Sequence, residues 1–270
     1  LKAPLLLVLS ALKLCFFEKL KVATLAEVLI QHKINSGQKV LAVLIDPDKM
    51  SFDDNSSVWH LLERHCPDLL LVGGSLLTVG DVHQTVTWLK ARFDIPVWLF
   101  PGNYQHLTPA ADALLLLSLL SGRNPDFLIS QHVAAAPLIR RMNLAAIPTA
   151  YMLVDGGVPT TVSYISNTQP IPANKPDVAV ATSMAAELLG MKMVYLEAGS
   201  GAANPVSSSM IRAVRQAISL PLIVGGGIRS AALLENAYVA GADIAVIGTA
   251  WEQNPEIIAD MLVIRNKCSD

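Results

Sequence analysis

Three glycine-bearing segments near the carboxyl end carry the strongest chemical signal: Tyr195-Leu196-Glu197-Ala198-Gly199-Ser200-Gly201, Gly225-Gly226-Gly227-Ile228-Arg229-Ser230 and Gly248-Thr249-Ala250. Each follows directly on a short apolar run with strand character. Glycine lets backbone N–H groups approach an anion closely, and a helix starting just beyond adds its positive N-terminal end. Together the segments read as a phosphate cradle. Glu197 stands inside it, on the same strand face as Tyr195. A carboxylate beside phosphate is unfavourable unless it binds hydroxyls or takes a proton, so its functional reading is hydroxyl recognition or general-base work. The plain alternative is a salt-bridged glutamate at a strand end. Arg229 is open to two readings as well, a phosphate neutraliser or an exposed arginine at a helix start.

A second constellation lies in the amino-terminal half. One apolar run ends in Ile45-Asp46-Pro47-Asp48-Lys49 and the next in Val72-Gly73-Gly74-Ser75. A carboxylate from Asp46 and a hydroxyl from Ser75 on neighbouring strand ends suit Mg²⁺, which keeps several waters and takes its other ligands from substrate phosphates. An Asp-Pro-Asp turn that caps the following helix is the structural alternative. Arg123-Asn124 either meets a diphosphate or serves the turn Ser121-Gly122-Arg123-Asn124-Pro125. The 6 histidines are scattered without ligand spacing and read as surface or packing residues. No nucleophile elbow, Walker loop or dinucleotide fingerprint stands in a suitable strand and helix context.

These residues need a scaffold that delivers strand ends to one place. Val40 to Ile45, Leu69 to Val72, Val97 to Phe100, Leu114 to Leu117, Ile147 to Val154, Met193 to Leu196, Leu222 to Val224 and Ile244 to Ile247 read as strands. Most are continuous apolar runs, as strands covered on both faces should be. Val82 to Ala91, Ser130 to Met142, Pro176 to Leu189, Ser207 to Ile218 and Ala231 to Ala240 have helical length and period. The alternation predicts a (β/α)8 barrel with its site at the carboxyl-terminal face. The interval Pro101 to Asp112 is too short for two loops and a crossover helix, so the third outer helix is expected to be missing. That would expose a strip of apolar sheet unless loops or a long apolar ligand cover it.

A length of 270 residues fits one such domain, expected over residues 24–270. The net charge of -2 gives no basic field for nucleic acid. Mean hydropathy is +0.45, high enough to call for a buried parallel sheet, a surface that meets lipid, or both. The 3 cysteines are far apart and suit a reducing, cytoplasmic compartment. Residues 1–23 form an apolar extension whose apolar run, Leu5 to Phe17, is interrupted by Lys13 and is too short and too polar for a spanning helix. An accessory helix on the barrel is the main reading of it and a signal-like segment the other.

Taken together, Leu44-Ile45-Asp46-Pro47-Asp48-Lys49, Val72-Gly73-Gly74-Ser75, Tyr195 to Gly201, Val224 to Arg229 and Ile247-Gly248-Thr249 resemble the geranylgeranylglyceryl phosphate synthases and their heptaprenyl relatives. The resemblance runs in order from about Thr24 to the end. It implies a modified barrel without its third helix, and Mg²⁺-dependent transfer of a geranylgeranyl group from its diphosphate to the 3-hydroxyl of sn-glycerol 1-phosphate. On that resemblance Asp46 and Ser75 hold Mg²⁺, while Tyr195, Leu196, Glu197, Ala198, Gly199, Ser200, Gly201, Gly226, Gly227, Gly248 and Thr249 bind glycerol 1-phosphate. Glu197 then accepts or orients the hydroxyl proton and Lys49 stabilises the leaving diphosphate. A homo-oligomer is expected. Leu44 stands where the heptaprenyl branch has lysine, which sets this chain nearer the archaeal type. A barrel acting on a soluble sugar phosphate is the rival reading, since it shares the glycine cradle.

Overall fold

The computed structural model describes residues 25–53 and 56–269, and the expected amino-terminal extension lies outside them. Eight strands, β1 (Val40–Ile45), β2 (Leu69–Val72), β3 (Val97–Leu99), β4 (Ala113–Leu119), β5 (Ala146–Leu153), β6 (Met193–Glu197), β7 (Leu222–Gly225) and β8 (Ile244–Ile247), pair in sequential order into a closed parallel barrel. The seam closes with Val40 opposite Ile244 and Val43 opposite Ile247.

Side chains alternate along each strand and make two cores. Inward residues such as Leu71, Trp98, Leu115, Tyr195 and Ile223 fill the barrel. Outward residues such as Leu70, Leu99, Val194, Leu196 and Val224 pack under the helices. Helix α1 (Leu25–Asn35) buries Ile30 with the inner cluster, and its Lys33 Nζ donates to Asp68 Oδ1 at 2.5 Å.

Helices α2 (Ser57–Arg64) and α3 (Val82–Arg92) follow β1 and β2, and α4 (Ser130–Met142) follows β4. After β5 come α5 (Thr161–Ser166) and α6 (Pro176–Leu188), after β6 and β7 come α7 (Ser208–Ala217) and α8 (Ala231–Ala240), and after β8 come α9 (Thr249–Gln253) and α10 (Ile257–Lys267). Nothing comparable follows β3. The chain makes one 3-10 turn, Tyr104–His106, before entering β4. Local hydrogen bonds hold this loop: Asn103 accepts from Gln105 N at 2.8 Å, and buried His106 accepts from Gly102 N through Nδ1 at 3.2 Å. Asp112 then pairs with Lys90 and accepts from Val97 N at 2.8 Å. The expected gap in the helical ring is present.

Helices α1, α2, α5, α9 and α10 were not read from the sequence. Two of these, α5 and α9, are single short turns below the length at which hydrophobic period is informative. Helix α2 spans only 8 residues.

Candidate active site

The loops after β6, β7, β8, β1 and β2 enclose a cavity of about 420 Å³ at the carboxyl-terminal end of the barrel. Asp46, Lys49, Ser75, Tyr195, Glu197, Ser200, Gly201, Gly226, Gly227, Gly248 and Thr249 all line it, although they come from five different strand ends. Leu196 and Ala198 do not face it. Strand alternation turns both side chains into the outer core, so any part they take in recognition is limited to their backbone. Gly199 is buried beneath the cavity, where its N–H donates to Glu197 Oε1 at 2.7 Å.

Glu197 is only 6% exposed. Burial disfavours its charged form and pushes its pKa up to about 7, against the Gly199 N–H and the Tyr195 hydroxyl, which favour the anion. The Tyr195 hydroxyl itself lies beside the carboxylate without a hydrogen bond of ordinary geometry. Tyr195 and Tyr151 are buried phenols whose pKa values rise well above 10, first through desolvation and then through Glu197. A carboxyl group poised near neutrality between two neutral phenols is suited to take one proton and hold it.

The cradle glycines have steric reasons. Gly226 has φ of +80°, and a Cβ there would stand 2.4 Å from Glu197 Oε1. At Gly227, with φ of +72°, a Cβ would come within 2.9 Å of Pro205 N. Gly226→Ala is therefore expected to displace Glu197 and strain the backbone, with loss of about 1–2 kcal/mol of stability and a loss of turnover larger than that strain accounts for. A variant with wild-type melting temperature and turnover would show that the close approach is dispensable. Across the cavity mouth, Ser200 Oγ lies 3.2 Å from Thr249 Oγ1. Arg229 lines the cavity but spends its Nη2 donors on the Ala202 and Ala203 carbonyls, tying the loop after β6 to that after β7.

On the opposite wall, Asp46 performs both of its possible tasks. It caps the 3-10 turn Pro47–Lys49 by accepting from Asp48 N at 3.1 Å, and it still lines the cavity. Asp48 grips the loop after β2, accepting from the N–H groups of Gly80, Thr78 and Val79 and from the Thr78 hydroxyl. These bonds, Gly80 first, hold its pKa at about 2. That clamp fixes the strand ends carrying Asp46 and Ser75 to each other. The sequence reading missed it, since the donors are backbone groups some thirty residues away.

Glu252 was also missed. From α9, its Oε2 accepts from Lys49 Nζ at 2.7 Å, while Asp46 Oδ2 stands 3.4 Å from the same nitrogen. Burial alone would lower the Lys49 pKa, but the Glu252 hydrogen bond and the two carboxylate charges outweigh it and the net shift is upward. Lys49 is thus a fixed cation at the β8–β1 seam.

Among the described residues no group of three or more His, Cys, Asp or Glu side chains could hold a metal ion. Asp46 and Ser75 do offer an oxygen-only pair on one cavity wall, which fits Mg²⁺ if water and substrate phosphate oxygens complete the shell. Arg123 and Asn124 take the turn role. Arg123 Nη1 donates to the carbonyls of Leu120 and Gly122, and Asn124 caps the 3-10 turn Pro125–Phe127.

Beside this polar cavity runs a narrow apolar groove of about 80 Å³ on the side where the ring of helices is open. Leu107, Leu114, Leu116, Phe127, Ala135 and Ile165 are among its walls. Ser75, Phe100 and Tyr151 line both spaces. Phe100, Tyr151 and Tyr195 form an aromatic trio with ring centroids 5.4–5.9 Å apart. It is the partition between them.

Fold and site define a (β/α)8 barrel that can hold an anion at one end and an apolar chain at its side. The chain belongs to the PcrB family, whose sequence model matches residues 33–265. It is 49% identical over 229 residues to geranylgeranylglyceryl phosphate synthase of Spirosoma linguale, covering 85% of this chain and 92% of that one. With the enzyme of the same name from Korarchaeum cryptofilum it shares 41% over 222 residues, 82% and 91% of the two chains. In structure it resembles (S)-3-O-geranylgeranylglyceryl phosphate synthase from Thermoplasma acidophilum in complex with sn-glycerol-1-phosphate. The TM-score is 0.82 at 30% identity, over 92% of this chain and 99% of that chain.

Proposed function

We propose that this protein is a prenyltransferase that joins the geranylgeranyl group of its diphosphate to the 3-hydroxyl of sn-glycerol 1-phosphate, releasing diphosphate. The observation that carries the reading is the junction of a glycine-walled polar cavity with an apolar groove at Ser75, Phe100 and Tyr151. A soluble sugar phosphate would leave the groove without a purpose.

On this reading the backbone N–H groups at Gly226, Gly227 and Gly248, with the Ser200 and Thr249 hydroxyls, receive the phosphate of glycerol 1-phosphate. That places the glycerol hydroxyls near Glu197. The allylic carbon–oxygen bond breaks with its electron pair leaving on diphosphate, and the 3-hydroxyl oxygen forms the new ether bond to that carbon. Its proton passes to Glu197. Lys49 offsets charge on the leaving group. Asp46 and Ser75 would hold Mg²⁺, which when bound neutralises further diphosphate charge. The isoprenoid tail lies against the groove walls. Cys66 and Cys268, both free thiols, suit a reducing cytoplasmic setting, and the exposed Met184, Leu188 and Leu189 on α6 and just beyond it suit a homo-oligomer.

Incubation with glycerol 1-phosphate, Mg²⁺ and a ladder of prenyl diphosphates tests the reading. Each buried methylene contributes about 0.8 kcal/mol, so kcat/KM should rise at least ~10-fold for each added isoprene unit until the groove is filled. Equal efficiency of five-carbon and twenty-carbon donors, or turnover of a sugar phosphate alone, would overturn it.

A further inference from the structure

The connections after β2, β3, β4 and β5 are contiguous around one half of the carboxyl-terminal face, and they expose large apolar side chains to solvent. Val79 is 84% exposed, Val133 66% and Tyr164 85%, with Leu76, Ile129 and Ile165 beside them in the same connections. The other half, formed by the loops after β6, β7, β8 and β1, presents the glycines, hydroxyls and charges of the polar cavity. The apolar half is also the mouth of the groove, since Tyr104 and Ile165 are both exposed and groove-lining. Its charge is sparse and negative: residues 73–81, 101–108, 120–134 and 155–168 carry Arg123 against Asp81, Asp126 and Asp155. Among the described residues no helix is long and apolar enough to cross a membrane.

We infer that this rim is a docking surface for a lipid bilayer, inserted by its apolar side chains and not drawn by charge. The inference rests on the proposed prenyl transfer, which gives the groove a lipid tail to exchange. Continuity between rim and groove supplies the argument, because a tail leaving the groove would pass straight into the layer the rim touches without crossing water. A face that attracted anionic headgroups would carry lysine and arginine at about 1 kcal/mol each. This one carries a surplus of aspartate, so zwitterionic lipid is the expected partner.

The test is flotation of the full chain with phosphatidylcholine vesicles, without substrate, for wild type, for Val133→Asp combined with Tyr164→Asp, and for Val239→Asp combined with Val263→Asp on the barrel's outer side. Wild type and the outer-side variant should float, while the rim variant should lose at least ~10-fold in partitioning. Its circular dichroism, melting temperature and turnover of a short soluble donor should be unchanged. Failure of wild type to float, flotation of the rim variant, or binding only to anionic vesicles overturns the inference. So does a rim variant that sediments as a smaller species than wild type, which would assign the patch to a second copy of the chain. Prenyl transfer is assayed separately, so a rim that fails to bind lipid in an active enzyme refutes the surface alone.

Discussion

Glu197→Gln is expected to lower turnover at least ~10²-fold, the scale of a positioned general base, while leaving the barrel folded. Glutamine keeps an oxygen for the Gly199 N–H but cannot take a proton. The pH dependence separates base from bystander. A base must be ionised to act, and burial raises the Glu197 pKa from 4.5 to about 7. In wild type, kcat/KM should therefore fall ~10-fold per unit below pH 7 and level off above it, whereas the glutamine variant should lose this limb. Stability should move the opposite way. A carboxyl group whose pKa is raised on folding contributes fully below the unfolded value of 4.5, and that contribution is lost as pH rises through about 7. Above pH 7 the variant should thus be the more stable protein, by on the order of 3 kcal/mol. Wild-type turnover in the variant, or an unchanged acid limb, would remove Glu197 from the chemistry.

Asp46→Asn is expected to reduce Mg²⁺-stimulated turnover by ~10²-fold or more, and Ser75→Ala by about an order of magnitude less. A charged oxygen holds a hard cation better than a neutral one. Asparagine is preferable to alanine because it keeps an acceptor for Asp48 N and hence the cap on the 3-10 turn. The half-saturating Mg²⁺ concentration should rise in both variants while the melting temperature stays near that of wild type. Metal-independent activity in wild type, or an unchanged Mg²⁺ response in Asp46→Asn, would refute the assignment.

Much of this architecture was legible because a parallel barrel writes its strands as uninterrupted apolar runs. Val40–Ile45, Leu69–Val72 and Ile244–Ile247 were bounded correctly from that signal alone. The missing helix was legible too, as too little chain between two strands. Local reading reached Tyr195 and Glu197 together because a period of two fixes which strand residues share a face. The same rule turns the Leu196 side chain into the outer core and leaves only its backbone for recognition. What remained hidden is what depends on distant partners. The Asp48 clamp on Thr78 and Gly80, the Lys49–Glu252 pair across the seam and the carbonyls held by Arg229 all join residues remote in sequence and adjacent only once the barrel closes.

The aromatic trio of Phe100, Tyr151 and Tyr195 has a consequence for kinetic order. On the proposed reading, the hydrophilic acceptor enters through the polar half of the carboxyl-terminal face and the donor's tail through the apolar half, and they meet at this wall of rings. Neither occupies the other's route. Binding in either sequence is then open to the enzyme, and the flank left bare by one absent helix makes the barrel a meeting point for two reactants that do not share a solvent.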